Sequence, residues 1–388
     1  MLHPGQWDLI RLIRSALTGE PAMLSDTPDS AYLYKTAARH QVMGLLMYGC
    51  TATGVSDAML QQRLFMASCR NVAVSEQQMH ELQELFSVFE KEGIDYLPLK
   101  GTVLKSLYDH ADMRSMGDAD VLIRLSDRDR IAAILAERGY TAMGESDHEI
   151  VWRHPSLLLE LHKRVVPERD KKYYAYFGDG WTDAQLVENA SHRYAMPDER
   201  MLIYLFVHFT KHYAGAGIGI KHMVDLWVYT QKHPDLDHKY VENELDKLGL
   251  LTFYRNVMHT LQAWFGDAEM TALDAFITDV IFQNGVFGSE ENSAVARLSQ
   301  KTAQDGVKNT KFRRMLTLVF PPYSSMKYIF PVLQKWPVLL PVMWPVRIMR
   351  TLLFRRRKIA IELEGVENLT DDKIVAYRRS MEYVGLDA

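Results

Sequence analysis

The sequence predicts an α+β protein in which a strand-rich block sits between helical regions. Three observations carry that prediction. Apolar residues recur at helical spacing ahead of residue 93, as Leu82, Leu85, Phe86 and Phe89 do in MHELQELFSVFEKEG. From 94 to about 165 the character changes to short apolar runs broken by turn signals. From about 180 to 300 the helical pattern returns, with Pro197-Asp198 opening ERMLIYLFVHFTKHY. The regions expected are therefore an N-terminal helical region over 1–92, a core over 93–178, a helical region over 179–310 and a tail over 311–388. The tail is rich in proline, aromatics and arginine and carries helices of its own.

Each element follows from local chemistry. The stripe at 82–89 is a core face, and its helix stops at Gly93. IDYLPL reads as a strand, Thr102 to Tyr108 as a short helix, and ADVLIRL as a second strand. Ser126 is placed to cap the helix DRDRIAAILAERG. HEIVWRH and LLLELHKR follow as two strands around His154-Pro155-Ser156. GAGIGI, residues 215–220, follows a helix rather than a strand, so it reads as a loop and not as a dinucleotide fingerprint.

Composition narrows the class. The chain of 388 residues, 47% apolar and 24% charged, is long enough for two or three domains with sizeable cores. A formal net charge of −4 disfavours a long nucleic acid as partner. Cys50 and Cys69 read as two buried thiols of a reducing cytoplasm. Asp8, Arg11 and Arg14 interrupt the N-terminus, so no signal peptide is expected there. No run of 18 uncharged apolar residues occurs, which argues against a spanning helix. The localisation expected is cytoplasmic. In the tail, Trp336, Trp344, Leu352, Leu353 and Phe354 precede Arg355-Arg356-Arg357-Lys358. That pattern fits either a core helix ending in a solvated basic cluster or a weak peripheral contact with an anionic membrane.

The chemistry concentrates in the strand-rich block. Asp118 and Asp120 stand one residue apart at the head of Val121-Leu122-Ile123, so on an extended chain both side chains share a face. Two like charges side by side repel, a cost usually offset by a cation. Glu160 lies between Leu159 and Leu161 and points away from both, with His162 on its face. Three carboxylates projected from neighbouring strands make a hard oxygen site suited to Mg²⁺ or Mn²⁺. Lys100-Gly101-Thr102 sits where a strand gives way to a helix, a place where backbone amides can meet phosphate. Each feature alone is common. Their order, strand, Gly-Thr, helix, Asp-x-Asp strand, helix, isolated carboxylate, is what carries the reading.

LPLKG, MRSMGDADVLI, RGY and LLLELH together resemble the uncharacterised nucleotidyltransferase family of the DNA polymerase β-like superfamily. YLFVHFTKHY with MVDLW, and FPPYSSMKYIFPVL, are similar to its later blocks, so the resemblance runs from about 30 to 355. It implies a small mixed sheet flanked by helices, with a helical region completing a substrate cleft. It also implies metal-dependent transfer of a nucleotide from a nucleoside triphosphate to a hydroxyl, with release of pyrophosphate. By the resemblance Asp118, Asp120 and Glu160 hold the metals, and Gly101 and Thr102 cradle the phosphates. Lys100 and Arg114 are candidates to neutralise developing charge. His162 is a base, a donor that orients the acceptor, or a packed strand histidine. Lysine before the glycine departs from the small residue that many members have there.

In the helical region His208 and His212 share a helix face, but no acidic residue or cysteine completes a zinc motif. With Lys211 and Asp225 they are expected to line the substrate cleft. The acceptor expected is a small molecule, a saccharide precursor or a protein. Two alternatives stay open: a catalytically inactive nucleotide-binding or interaction protein on the same fold, and a sugar-nucleotide glycosyltransferase. The second needs a larger α/β domain before its Asp-x-Asp, where this chain is helical.

Overall fold

The computed structural model describes residues 2–285, 316, 319–354 and 371–386. Ahead of the sheet the chain forms α1 (Pro4–Thr18), α2 (Ser30–Arg39), α3 (Met43–Thr53) and α4 (Ala58–Glu92). Asp29 and Asp57 cap α2 and α4, each accepting from a backbone N–H three residues on, Tyr32 and Leu60. α4 ends at Gly93, whose φ of +69° is the left-handed cap that glycine adopts most cheaply. Leu82, Leu85 and Phe89 are buried, as their spacing predicts.

Five strands follow: β1 (Tyr96–Leu99), β2 (Ala119–Ile123), β3 (Thr141–Glu145), β4 (Glu149–Arg153) and β5 (Leu158–His162). Their order in the sheet is β1-β2-β5-β4-β3. β2 and β5 run parallel and the other neighbours antiparallel, so the sheet is mixed. α5 (Lys100–Leu104), tightened into a 3-10 turn at Lys105–Leu107, follows β1, and α6 (Arg128–Glu137) links β2 to β3. One face of the sheet is apolar: Val121, Ile150, Trp152, Leu159 and Leu161 pack with Leu82, Leu85 and Phe89 of α4 and with Ile131 and Leu135 of α6. Alternation then turns the intervening residues of β2, β4 and β5 to the other face.

Several details differ from the sequence reading. The helix expected from Thr102 begins at Lys100 and is only one turn long before it tightens. A 3-10 turn at Leu125–Asp127 separates β2 from α6, so Asp127 rather than Ser126 holds the N-cap position, without a side-chain cap bond. β3 was not expected. It is an exposed edge strand, TAMGE, with few branched residues and an irregular register between Ala142 and Gly144. Cys50 is buried, but Cys69 is exposed, because it lies on a solvent-facing position of the long α4.

After α7 (Lys171–Phe177) and the short pair β6 (Gln185–Leu186) and β7 (Tyr194–Ala195) come α8 (Asp198–Tyr213) and α9 (Ile220–Lys232). α10 (His238–Lys247), α11 (Leu251–Phe265) and α12 (Ala272–Gln283) complete this part. The residues between α8 and α9, GAGIG among them, are a loop. The chain forms two compact units, Met1–Phe209 with Gly219–Val286, and Thr210–Ile218 with Phe287–Ala388. In the second unit the helices Tyr323–Ile329, Leu340–Phe354 and Asp371–Val384 are described, and Tyr377 donates to the Ala214 carbonyl at 2.6 Å. Trp336 is exposed, while the basic run at 355–358 lies outside the described residues. No helix among the described residues is long and apolar enough to cross a membrane.

Candidate active site

The parallel pairing of β2 with β5 sets Asp120 beside Glu160 and Leu122 beside His162. The antiparallel pairing of β4 with β5 sets Glu149 beside His162. Because side chains alternate along a strand, Asp120, Glu160, His162 and Glu149 share the face opposite the apolar core. Asp118 precedes β2 by one residue.

Asp120 is the hub. Lys100 Nζ donates to its Oδ1 at 2.6 Å, and His162 Nε2 lies 2.8 Å from the same oxygen. Asp120 and His162 are only 4% and 2% exposed, so this is a charged network out of water. Burial would raise the Asp120 carboxyl, but Lys100 and then His162 hold it well below the usual carboxylate range. Burial, with Lys100 adding to it, lowers His162, leaving a neutral ring. Glu160 has no such cation in contact. Burial, followed by the charges of Asp120, Asp118 and Glu149, pushes it up to about 8. Asp118 is also raised, by burial and by Asp120. The face therefore carries more carboxylate than its lysine can balance. Asp120, Glu160 and His162 offer ligand atoms within 4.8 Å of one another and could hold a cation.

Lys100 reaches Asp120 from a backbone φ of +36°. That left-handed conformation costs a non-glycine residue about 1–3 kcal/mol and persists where the surroundings enforce it. Thr102 donates its hydroxyl to the Asp120 carbonyl at 3.4 Å, tying α5 to β2. Gly101 has a packing reason to be small: a Cβ there would lie 3.3 Å from Arg114 Nη1 and 3.5 Å from the Asp118 carbonyl.

Arg114 and Asp225 form a separate network. Arg114 donates from Nε to Asp225 Oδ1 at 2.7 Å and from Nη2 to Oδ2 at 2.9 Å. Tyr108 donates to Oδ1 at 2.9 Å, and Arg114 Nη1 reaches the Gly101 carbonyl at 3.3 Å. Lys105 Nζ donates to the carbonyls of Ala111 and Arg114. The forked guanidinium is thus matched to a single carboxylate.

Of the residues expected to act, Lys100, Gly101, Arg114, Asp118, Asp120, His208 and Asp225 line one cavity of about 90 Å³. Glu160 and His162 stand beside Asp120, outside that lining. Lys211 and His212 are on the last turn of α8, in the second unit. Ligand pockets usually measure about 300–1,000 Å³, so this cavity suits a phosphate group rather than a whole nucleotide.

The sequence reading missed Lys221, Tyr204, His148 and Glu149. Lys221 lines the cavity, and burial together with Arg114 lowers it to about 8. Tyr204 is buried next to Lys100, which partly offsets the burial that raises its phenol. Both come from the helical region, where a lone lysine or tyrosine carries no signal. Glu149 could have been found: a hairpin turning at His154-Pro155-Ser156 places it opposite His162.

Residues 26–266 match the model of a family described as uncharacterised nucleotidyltransferase. Neither a curated protein nor a solved structure matches the chain. The match covers more than half of the sequence, and the chain belongs to that family.

Proposed function

We propose that this family member is a metal-dependent nucleotidyltransferase that moves a nucleoside monophosphate from a nucleoside triphosphate to a hydroxyl acceptor and releases pyrophosphate. One observation carries the reading. Asp120 and Glu160 stand side by side on parallel strands, with Asp118 two residues before Asp120, and among the described residues Lys100 is the lysine in direct contact to balance them. Carboxylate oxygens in such a group fit Mg²⁺ or Mn²⁺, and Glu160, raised by burial and then by its neighbouring carboxylates, is a group that a cation would return to its charged form. Asp118, Asp120 and Glu160 would hold the ion, which supplies Lewis-acid stabilisation of the triphosphate and of the departing pyrophosphate.

The chain's own residues do the rest. His162, neutral and fixed on Asp120, orients that carboxylate. Lys100 and Lys221 bring positive charge to the cavity wall where phosphates would lie. Arg114, engaged by Asp225, contributes shape and field more than a free hand. As the acceptor oxygen bonds to the α-phosphorus, the bond to the pyrophosphate oxygen breaks and the hydroxyl proton passes to water. A small molecule, a saccharide precursor or a protein hydroxyl would serve as acceptor.

One observation favours a second reading, an inactive nucleotide-binding or interaction protein. Lys100 already places a cation 2.6 Å from Asp120 and so answers one carboxylate without a metal. The test is thermal unfolding of the wild type and Asp118→Asn with Mg²⁺ and each nucleoside triphosphate, followed by mass spectrometry for pyrophosphate and modified products. The expected result is stabilisation by at least one nucleotide, lost in the variant, with pyrophosphate formed. Stabilisation without any product supports the inactive reading. No stabilisation by any nucleotide overturns the transferase reading and nucleotide binding with it, and leaves the interaction protein on the same fold in the lead.

A further inference from the structure

At the edge of the carboxylate face lies a group of donors of which nucleotidyl transfer, as proposed above, uses His162 alone, through its Nε2. Glu149, the first residue of β4, sits directly across from His162 on β5, and His148 precedes it. His148, Glu149 and His162 offer ligand atoms within 4.8 Å of one another. Each histidine has one ring nitrogen engaged by a carboxylate outside the group, and the second nitrogen of His148 faces Glu149 within it. His148 Nδ1 is 3.1 Å from Asp147 Oδ1 and 3.2 Å from Ser146 Oγ, while its Nε2 is 3.0 Å from Glu149 Oε2. His162 Nε2 is 2.8 Å from Asp120 Oδ1, and its Nδ1 is buried with no hydrogen-bond partner.

That pairing of an anchored nitrogen with an available one is how proteins prepare histidine for a metal. The carboxylate fixes the tautomer and the ring angle, and the other nitrogen keeps its lone pair. A buried polar atom left without a partner is a loss that a ligand would make good, so His162 Nδ1 is a place where a metal would be gained cheaply. Two imidazole nitrogens and one carboxylate oxygen also make a donor set unlike the oxygen-only group beside it. Imidazole suits Zn²⁺ and its neighbours in the transition series, whereas Mg²⁺ prefers oxygen.

We propose that His148, Glu149 and His162 form a second divalent-cation site that selects a transition metal of the Zn²⁺ type. Two histidines and a glutamate leave a coordination position open for water, as zinc sites that do chemistry or sense ligands do. The site does not depend on the nucleotidyl-transfer reading, because His148 and Glu149 have no role in it and His162 would ligate through Nδ1, the nitrogen that does not face Asp120. It does communicate with Asp120. A metal on His162 Nδ1 leaves Nε2–H as the donor to Asp120, so occupancy would lock the carboxylate's orientation.

The test uses the full chain, stripped of metal by a chelator and titrated with Co²⁺ in a large excess of Mg²⁺. Co²⁺ is chosen because four- and five-coordinate Co²⁺ absorbs visibly and the hexahydrate barely does. The expected result is one equivalent bound with that absorption and displaced by Zn²⁺. His148→Ala removes the equivalent, and Asp147→Asn, which reaches only the outer nitrogen, weakens it about 10–100-fold. Should His148→Ala not fold, Glu149→Gln carries the same expectation as His148→Ala. Wild type that binds no Co²⁺ under excess Mg²⁺ overturns the proposal. So does a folded His148→Ala or Glu149→Gln variant that keeps the bound equivalent.

Discussion

Two buried ionic networks flank Gly101, and they are built on opposite principles. Around Asp225 the carboxylate is answered in full, by a two-pronged guanidinium and a tyrosine hydroxyl. Around Asp120 the arithmetic is left open. Burial and then the charge of Asp120 raise Asp118 and Glu160, Asp118 and Glu149 add to the rise of Glu160, and Lys100 is the lysine in contact. A closed network stabilises one arrangement. An open one is ready for something that arrives from outside, and on the proposed reading that is a metal with a triphosphate.

The largest expected effects separate the two networks. Asp120→Asn should lower turnover by about 10³-fold or more, because groups that act as a unit fail together. Its cost in stability should be small. Removing one negative charge relieves Glu160 and Asp118, and Glu160 can then ionise opposite Lys100. Asp225→Ala should do the reverse in kind. It leaves the Arg114 guanidinium buried without its partner, a loss of about 3–5 kcal/mol. Urea denaturation of both variants, with a turnover assay on the nucleotide that stabilises the wild type, decides it. If Asp120→Asn unfolds as readily as Asp225→Ala, the open network is structural and the contrast fails.

A smaller effect is read in pH. Glu160 is pushed up to about 8 from an ordinary 4.5, so between those values the folded protein keeps a proton that the unfolded chain releases. Stability of the metal-free protein therefore falls as pH rises through that window. His162 is lowered from 6.5 and works the other way below that value, so the clean range is about 6.5 to 8. Lys105 and Lys221, each lowered to about 8, add stability only above that range. Unfolding temperature should drop from pH 6.5 to 8 in the wild type and stay level in Glu160→Gln. Mg²⁺ should abolish the drop and release about one proton at neutral pH, visible as buffer-dependent heat in calorimetry. A wild type with a flat profile would mean that the carboxylates are already balanced.

How far the sequence reached follows the range of the forces involved. The α4 stripe and its stop at Gly93 were legible, because helical periodicity and a left-handed cap are local. So was the sharing of one face by Glu160 and His162, since alternation along a strand decides it, whereas setting Asp120 beside Glu160 takes the register of β2 on β5. The mixed sheet came from the family resemblance. The pairing of Arg114 with Asp225 was not legible, although both had been singled out, because 111 residues separate them. β3 was missed since an exposed edge strand needs no apolar alternation. His148 and Glu149 were within reach of the hairpin register but lay outside any motif. Ser126 lost its expected role to a single 3-10 turn, a choice made by how the chain leaves β2.

The smallest effect concerns how Lys100 is brought to the open network. Its φ of +36° sets it apart from every residue of the closed one. Two substitutions separate the cation from the backbone. Lys100→Ala removes the ammonium and keeps a Cβ in the left-handed region. Lys100→Gly removes the ammonium and the strain together. Both should leave Asp120 without its lysine and raise its carboxyl alike. Any difference between them is then conformational, and Lys100→Gly should be the more stable by about 1 kcal/mol. Chemical denaturation of the two variants side by side measures that gap. Equal stabilities would mean that the lysine rests at Asp120 without strain, held there by charge alone, and that the entry to α5 is no more constrained than the closed network beside it.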